Sequence, residues 1–234
     1  IIGTSTTAKI YGYGGNDNLQ GRTGDDYISG GTGNDYIIGE DGNDTIFGEE
    51  GFDSIYGGNG DDIANGGLAN DTMWAGYGND TFSGDEGDDI IYGEQGLDSL
   101  FGGAGNDTID GGVESDYLNG GSGNDSLMGG TGDDTIIGGE GDDVIIGGEG
   151  NDYLAGGVGS DYYYFSRHYS GHNIISDSGN NNTIYIDGRF SDYTINMDAN
   201  EAGDLIINYK ASGLSYSITL KDYLNGNVAT DRIM

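Results

Sequence analysis

Apolar residues recur along most of this chain at every ninth position. They run from Leu19 through Ile28, Ile37, Ile46, Ile55, Ala64, Met73, Phe82, Ile91, Leu100, Ile109, Leu118, Leu127, Ile136, Ile145 and Leu154 to Tyr163. Two residues before each stands an aspartate: Asp17, Asp26, Asp35, Asp44, Asp53, Asp62, Asp71, Asp80, Asp89, Asp98, Asp107, Asp116, Asp125, Asp134, Asp143, Asp152 and Asp161. A short period held this long means one small unit stacked many times. Numbering each unit from one to nine puts the aspartate in slot six and the apolar residue in slot eight. Slots seven to nine, as in Thr135-Ile136-Ile137, set one apolar residue among β-formers, which predicts a three-residue strand with its central side chain pointing inward. Slots one, two and four are mostly glycine, which predicts tight turns at positive φ that bring carbonyl oxygens together. One unit cannot close a coil but two can. The expected fold is all-β, a solenoid with eighteen residues per coil and a stack on the order of 40 Å long at about 4.8 Å per layer.

Departures from the pattern mark its ends and its weak points. Residues 1–11 read as a degenerate capping repeat, with Ile10 in the apolar slot and Ala8 in place of the aspartate. Residues 12–164 hold the regular array. Ala69 and Glu114 stand where slot four is otherwise glycine, Ala75 does so in slot one, and slot two is acidic at Glu40, Glu49, Asp85 and Glu94. Alternate slot-nine residues share a face, so Ile38, Tyr56, Trp74 and Tyr92 form an outward ladder that resumes after Asp110 at Met128, Ile146 and Tyr164. Beyond residue 164 the register breaks. His172–Ser176, Thr183–Asp187, Asp204–Tyr209 and Tyr216–Lys221 alternate as antiparallel strands would, with turns at Gly179–Asn182 and Asp198–Gly203. Residues 165–234 are therefore expected to form a β-rich cap, with Tyr162, Tyr164, Phe165, Tyr185 and Phe190 closing the last coil.

Composition turns this scaffold toward a particular partner. Among 234 residues are 50 Gly, no Pro, no Cys, and 41 acidic against 7 basic residues, a formal charge of −34. Such a charge disfavours nucleic acid and anionic membrane and favours cations. Without cysteine there is neither a disulfide framework nor a thiolate metal site. No apolar run is long enough to span a bilayer, residues 1–11 lack signal-peptide regions, and both ends read as cut from a longer chain. Catalysis has little support. His168 and His172 are four apart in a Tyr/Ser/Gly-rich turn with no glutamate between them, no nucleophile-elbow signature occurs, and no glycine stretch leads into Lys-Ser/Thr. We read the chain as non-enzymatic.

The units Gly-Gly-Thr-Gly-Asp-Asp-Thr-Ile-Ile (129–137) and Gly-Gly-Glu-Gly-Asp-Asp-Val-Ile-Ile (138–146) resemble the nonapeptide G-G-x-G-x-D-x-U-x of RTX proteins, the haemolysin-type calcium-binding repeat. The resemblance implies a parallel β-roll with calcium between the loops of repeats i and i+2. It implies a ligand set of slot-two and slot-four carbonyls, slot-one and slot-three carbonyls of the facing loop, and the aspartates of both. On this chain Gly121, Gly123 and Asp125 would face Gly138, Glu140 and Asp143, and Gly130, Gly132 and Asp134 would face Gly147, Glu149 and Asp152. One step further, Gly139 and Gly141 would face Gly156 and Val158. The resemblance further implies a secreted, extracellular or cell-surface protein exported by type I secretion machinery, either a toxin or adhesin or the calcium-stabilised C-terminal module of an enzyme such as a metalloprotease, lipase or epimerase. A monomer is expected, with the slot-nine ladder as a surface for a receptor or other protein. Low hydrophobicity with high net charge argues separately that the chain is disordered until cations neutralise it.

Overall fold

The computed structural model describes residues 1–3, 6–177, 182–187, 193–197, 205–209, 216–221 and 232–233. Strands begin at every ninth residue, from β1 (Lys9–Gly14) to β17 (Tyr153–Val158), each six residues long. The expected three-residue strand is half of the observed one. Pairing does not stop at slot nine: in β3 (Tyr27–Thr32) and β5 (Thr45–Glu50), Gly31 and Thr32 stay in register with Glu49 and Glu50. Only slots four to six are left as the loop. Each strand pairs in parallel with the strand two along, eighteen residues away, as Ile28 does with Ile46. Odd-numbered strands therefore build one sheet and even-numbered strands the other. The expected parallel β-solenoid of eighteen residues per coil is the observed architecture, and no helix occurs among the described residues.

The core is the slot-eight column. Every member from Leu19 to Tyr163 is buried, and Ile10 of the lead-in repeat joins them. Removing each such side chain from water stabilises the stack by about 1.5–3 kcal/mol. The glycine slots divide by cause. Slots two and four take positive φ, including the non-glycine residues Ala69 (76°), Glu114 (78°), Glu40 (80°) and Glu94 (71°). Slot one does not, contrary to the expectation for it. There the constraint is space, because a Cβ on Gly21 would lie 2.5 Å from Asp26 Oδ2 and 2.7 Å from the Gly39 carbonyl oxygen.

Beyond β18 (Tyr162–Phe165) the chain does not turn antiparallel at once. β19 (Gly171–Ile175) and β20 (Thr183–Ile186) pair in parallel with β17 and β18, so the first two of the four C-terminal segments continue the coil. Three inserted residues disguise this, since Asn173 and Asn182 each follow their partners Asp152 and Asp161 by 21 residues rather than 18. Only β21 (Tyr193–Met197), β22 (Leu205–Tyr209) and β23 (Tyr216–Leu220) form an antiparallel meander, and β23 docks in parallel on β19. The aromatic cap is also rearranged. Tyr162, Tyr164 and Tyr185 lie half-buried on the outer face, where Tyr164 and Tyr185 stack at 5.6 Å. The core beyond the last repeat is extended by Phe165, Ile175, Ile184, Ile207, Ile218 and Leu220. Phe190, Asp204 and the turn residues 179–181 and 198–203 lie outside the described residues.

Candidate metal sites

Each slot-six aspartate ends a three-residue loop, and the loops of one edge stack eighteen residues apart. From Asp26 to Asp161, one carboxylate oxygen of each has a clear task. Oδ1 of Asp35 accepts the Asp17 amide at 2.8 Å, and the same bond repeats up both edges through Asp143 to Asp161 at 3.0 Å. Each aspartate after Asp17 thus reaches back to the coil before it. Oδ2 has no hydrogen-bond partner, and this holds for all seventeen, from Asp17 to Asp161, although these atoms are buried. A buried, unpaired carboxylate oxygen is costly, and seventeen in one molecule point to a missing counter-charge.

Burial has an electrostatic consequence. Desolvation pushes the Asp62, Asp71 and Asp116 carboxyls up to about 8, and Asp98, Asp107, Asp143 and Asp152 up to about 7. The amide donated to Oδ1 lowers each of these, and neighbouring carboxylates raise it again. Desolvation wins, so burial disfavours the ionised carboxylate here and a cation beside it would favour it.

The backbone completes the setting. The carbonyl oxygens of Gly121 and Gly123 point up the roll, into the space that a Cβ on Gly139 or Gly141 would fill. From the next coil Gly138 turns its carbonyl back toward Gly120, Glu140 accepts the Gly123 amide at 2.7 Å, and the Asp143 carboxylate bonds the Asp125 amide at 2.8 Å. The same arrangement recurs one repeat on. There Gly130 and Gly132 face up, and Gly147, Glu149 and Asp152 face down. It recurs again with Gly139 and Gly141 below and Gly156, Val158 and Asp161 above. The aspartate of each lower loop divides its two oxygens between two coils. Oδ1 of Asp125 accepts the Asp107 amide beneath its own coil, as Oδ1 of Asp134 accepts that of Asp116, while a Cβ on Gly120 would crowd both Asp125 Oδ2 and the Gly138 carbonyl oxygen of the coil above, and one on Gly129 both Asp134 Oδ2 and the Gly147 carbonyl oxygen. Among the described residues no three acidic or histidine side chains converge as a metal cluster, so an ion here draws chiefly on main-chain oxygen.

These donors fit a hard divalent cation. They are all oxygen, mostly carbonyl, with one unpaired carboxylate oxygen per interspace, and flexible carbonyl loops suit calcium better than the strict octahedron of magnesium. When bound, the ion supplies positive charge at the unpaired Oδ2. The chain's own residues do the rest: slot-two and slot-four carbonyls orient from below, while the aspartate ties its coil to the amide of the one before.

The sequence model of the RTX calcium-binding nonapeptide repeat (4 copies) matches residues 11–46, 38–73, 65–100, 92–127 and 128–163. The chain belongs to the RTX calcium-binding repeat family. Its roll is thus a calcium-binding module that takes several ions per array. No curated protein matches the chain.

Three features of this RTX roll escaped the sequence reading. Slot-five side chains form an outer ladder, in which Asn34 N–H donates to Asn16 Oδ1 at 3.1 Å and Asn124 N–H to Asn106 Oδ1 at 3.0 Å. Acidic slot-two residues meet a donor twenty residues earlier, as Ser29 Oγ–Glu49 Oε1 at 2.6 Å and Asn65 Nδ2–Asp85 Oδ2 at 2.7 Å. Asn173 and Asn182 take the aspartate's place in the top two rungs and accept the Asp152 and Asp161 amides, each at 2.8 Å. The motifs Asn173-Ile174-Ile175 and Asn182-Thr183-Ile184 carried that last signal, as slot six to slot eight with one atom changed. The His172 ring meets Ser217 and Thr219 and ties β23 to the roll.

Proposed function

We propose that this chain is a calcium-dependent folding module of a larger exported protein, held unfolded where calcium is scarce and folded where it is abundant. The observation that carries the reading is the row of seventeen buried carboxylate oxygens without a partner. A chain of −34 formal charge cannot retain that row without cations, so metal binding and folding become one equilibrium. Such a chain is suited to thread an exporter in low calcium and to fold outside the cell, consistent with type I secretion and an extracellular or cell-surface site. Among the described residues no helix is long and apolar enough to cross a membrane. The roll itself supports a toxin or adhesin reading, with the slot-nine ridge of Tyr56, Trp74 and Tyr92 as the surface offered to a receptor. In the alternative, the same module stabilises a secreted enzyme.

Far-ultraviolet circular dichroism in millimolar calcium and then in excess EGTA tests the folding claim. A β-rich spectrum should appear only with calcium. Its persistence in chelator would overturn the proposal.

A further inference from the structure

The outer face of the even-numbered sheet carries a cleft of about 450 Å³ whose side-chain lining includes Glu40, Asp41, Tyr56, Trp74, Tyr77 and Glu94. Its shape follows from slot two. Across β4 (Tyr36–Asp41), β6 (Ser54–Asn59), β8 (Thr72–Tyr77) and β10 (Ile90–Gln95) that slot reads Glu40, Gly58, Gly76 and Glu94, in register. Two glycines leave a floor without side chains between two glutamates about 14 Å apart along the roll, at roughly 4.8 Å per strand.

Slot nine builds the wall. Tyr56 stacks on Trp74 at 4.4 Å and 2°, and Trp74 on Tyr92 at 5.8 Å and 18°. Rings stacked rung on rung cover one another's faces, so the ridge meets a ligand mainly with ring edges and offers no flat platform for a sugar. An alkyl stem can lie along such edges while a polar head reaches the carboxylates. The ridge also has an open end. The next rung above Tyr92 is Asp110, a short acid in place of a ring, so the far face of Tyr92 has a carboxylate beside it, and that pairing suits an organic cation. An anionic ligand would meet carboxylates on every side.

We propose that this face docks an arginine- or lysine-bearing segment of a partner protein. Its methylene stems lie along Tyr56 and Trp74, and its cationic heads meet Glu40, Asp41 and Glu94, with Asp110 and Tyr92 as a further anchor. The proposal rests on the receptor-facing role given above to the slot-nine ridge and names the chemistry of its partner.

Trp74 is the only tryptophan in the chain, so its fluorescence reports occupancy directly. The full chain, loaded with calcium, is titrated with an eight-residue peptide of alternating arginine and glycine. A glutamine-for-arginine peptide and maltohexaose serve as neutral probes. The arginine peptide should give a saturable change and the neutral probes none. Glu40→Gly and Glu94→Gly, which restore the repeat's usual slot-two glycine, should each weaken binding about fivefold. Glu49→Gly removes the same charge from β5 on the opposite sheet and should leave binding unchanged. Equal weakening in all three variants would mean general attraction to an acidic chain and would overturn the proposal, as would a matching response to maltohexaose or no response to the arginine peptide. Circular dichroism of each sample in calcium separates a lost dock from a lost fold, so failure here is distinct from failure of the calcium-dependent folding.

Discussion

Asp107 sits in mid-array, 1% exposed, and its two carboxylate oxygens have different roles. Oδ1 accepts the Asp89 amide at 2.8 Å, while Oδ2 is unpaired. Two substitutions separate these roles. Asp107→Asn keeps an Oδ1 acceptor, as Asn173 and Asn182 do at the top of the roll, and removes the charge. Asp107→Ala removes both and leaves the Asp89 amide buried without an acceptor, which costs about 1–3 kcal/mol. In saturating calcium the asparagine variant should bind one ion fewer than the wild type. The alanine variant should show the same deficit and be less stable than the asparagine variant by that further 1–3 kcal/mol. At about 2–4 °C per kcal/mol for a chain of this size, the two melting temperatures should differ by several degrees. The assay is metal content by mass spectrometry paired with thermal melts in calcium. Should the asparagine variant keep its full ion count, Oδ2 is not the cation's ligand. Should the two variants melt together, the Oδ1 bond holds nothing.

Slot four and the top of the roll yield two further expectations. Ala69 and Glu114 hold left-handed backbone at 76° and 78°, a conformation that costs an L-residue about 1–2 kcal/mol relative to glycine. Ala69→Gly and Glu114→Gly should each raise stability in calcium by ~1 kcal/mol in calorimetry. A loss in either variant would contradict the strain argument. The hydroxyl of the fully buried Tyr163 donates to Asp177 Oδ2 and accepts the Gly156 amide at 2.6 Å. Tyr163→Phe leaves that amide without its acceptor and should lower the melting temperature in calcium by an amount equivalent to about 1–3 kcal/mol; an unchanged melt would show that water replaces the phenol.

The core and the coil length were legible because one residue type in one slot decides them. Slot eight is apolar in every repeat, and nothing but an inward column explains that. The strand boundary was not legible, since Gly30-Gly31-Thr32 has turn composition yet lies in β3, where pairing to the next coil overrides local preference. Nor could sequence divide the glycines by cause. A residue excluded by φ at Gly31 and one excluded by contact with Asp35 at Gly30 are written with the same letter. The direction of each carboxylate was likewise invisible. The repeat says that an aspartate recurs, and only the stacked coil shows that it bonds the coil behind it.

That direction explains how the ion ladder ends. Each coil offers slot-two and slot-four carbonyls forward, and each following coil offers a carboxylate backward. An interspace is therefore completed by the chain that arrives after it. The fold continues past Asp161, because β19 and β20 extend both sheets. The carbonyl of Gly150 still points forward, toward Gly171. What arrives above it, however, is Asn173, and above the next loop Asn182. Both amides reproduce the bond that Oδ1 makes, and neither brings a charge. The second atom of each amide is a donor, with Asn182 Nδ2 donating to Asp177 Oδ2 at 2.8 Å. A donor in the position of Oδ2 repels a cation, so the ion ladder is expected to end at these two rungs, by a change of one atom in each, while the strands run on.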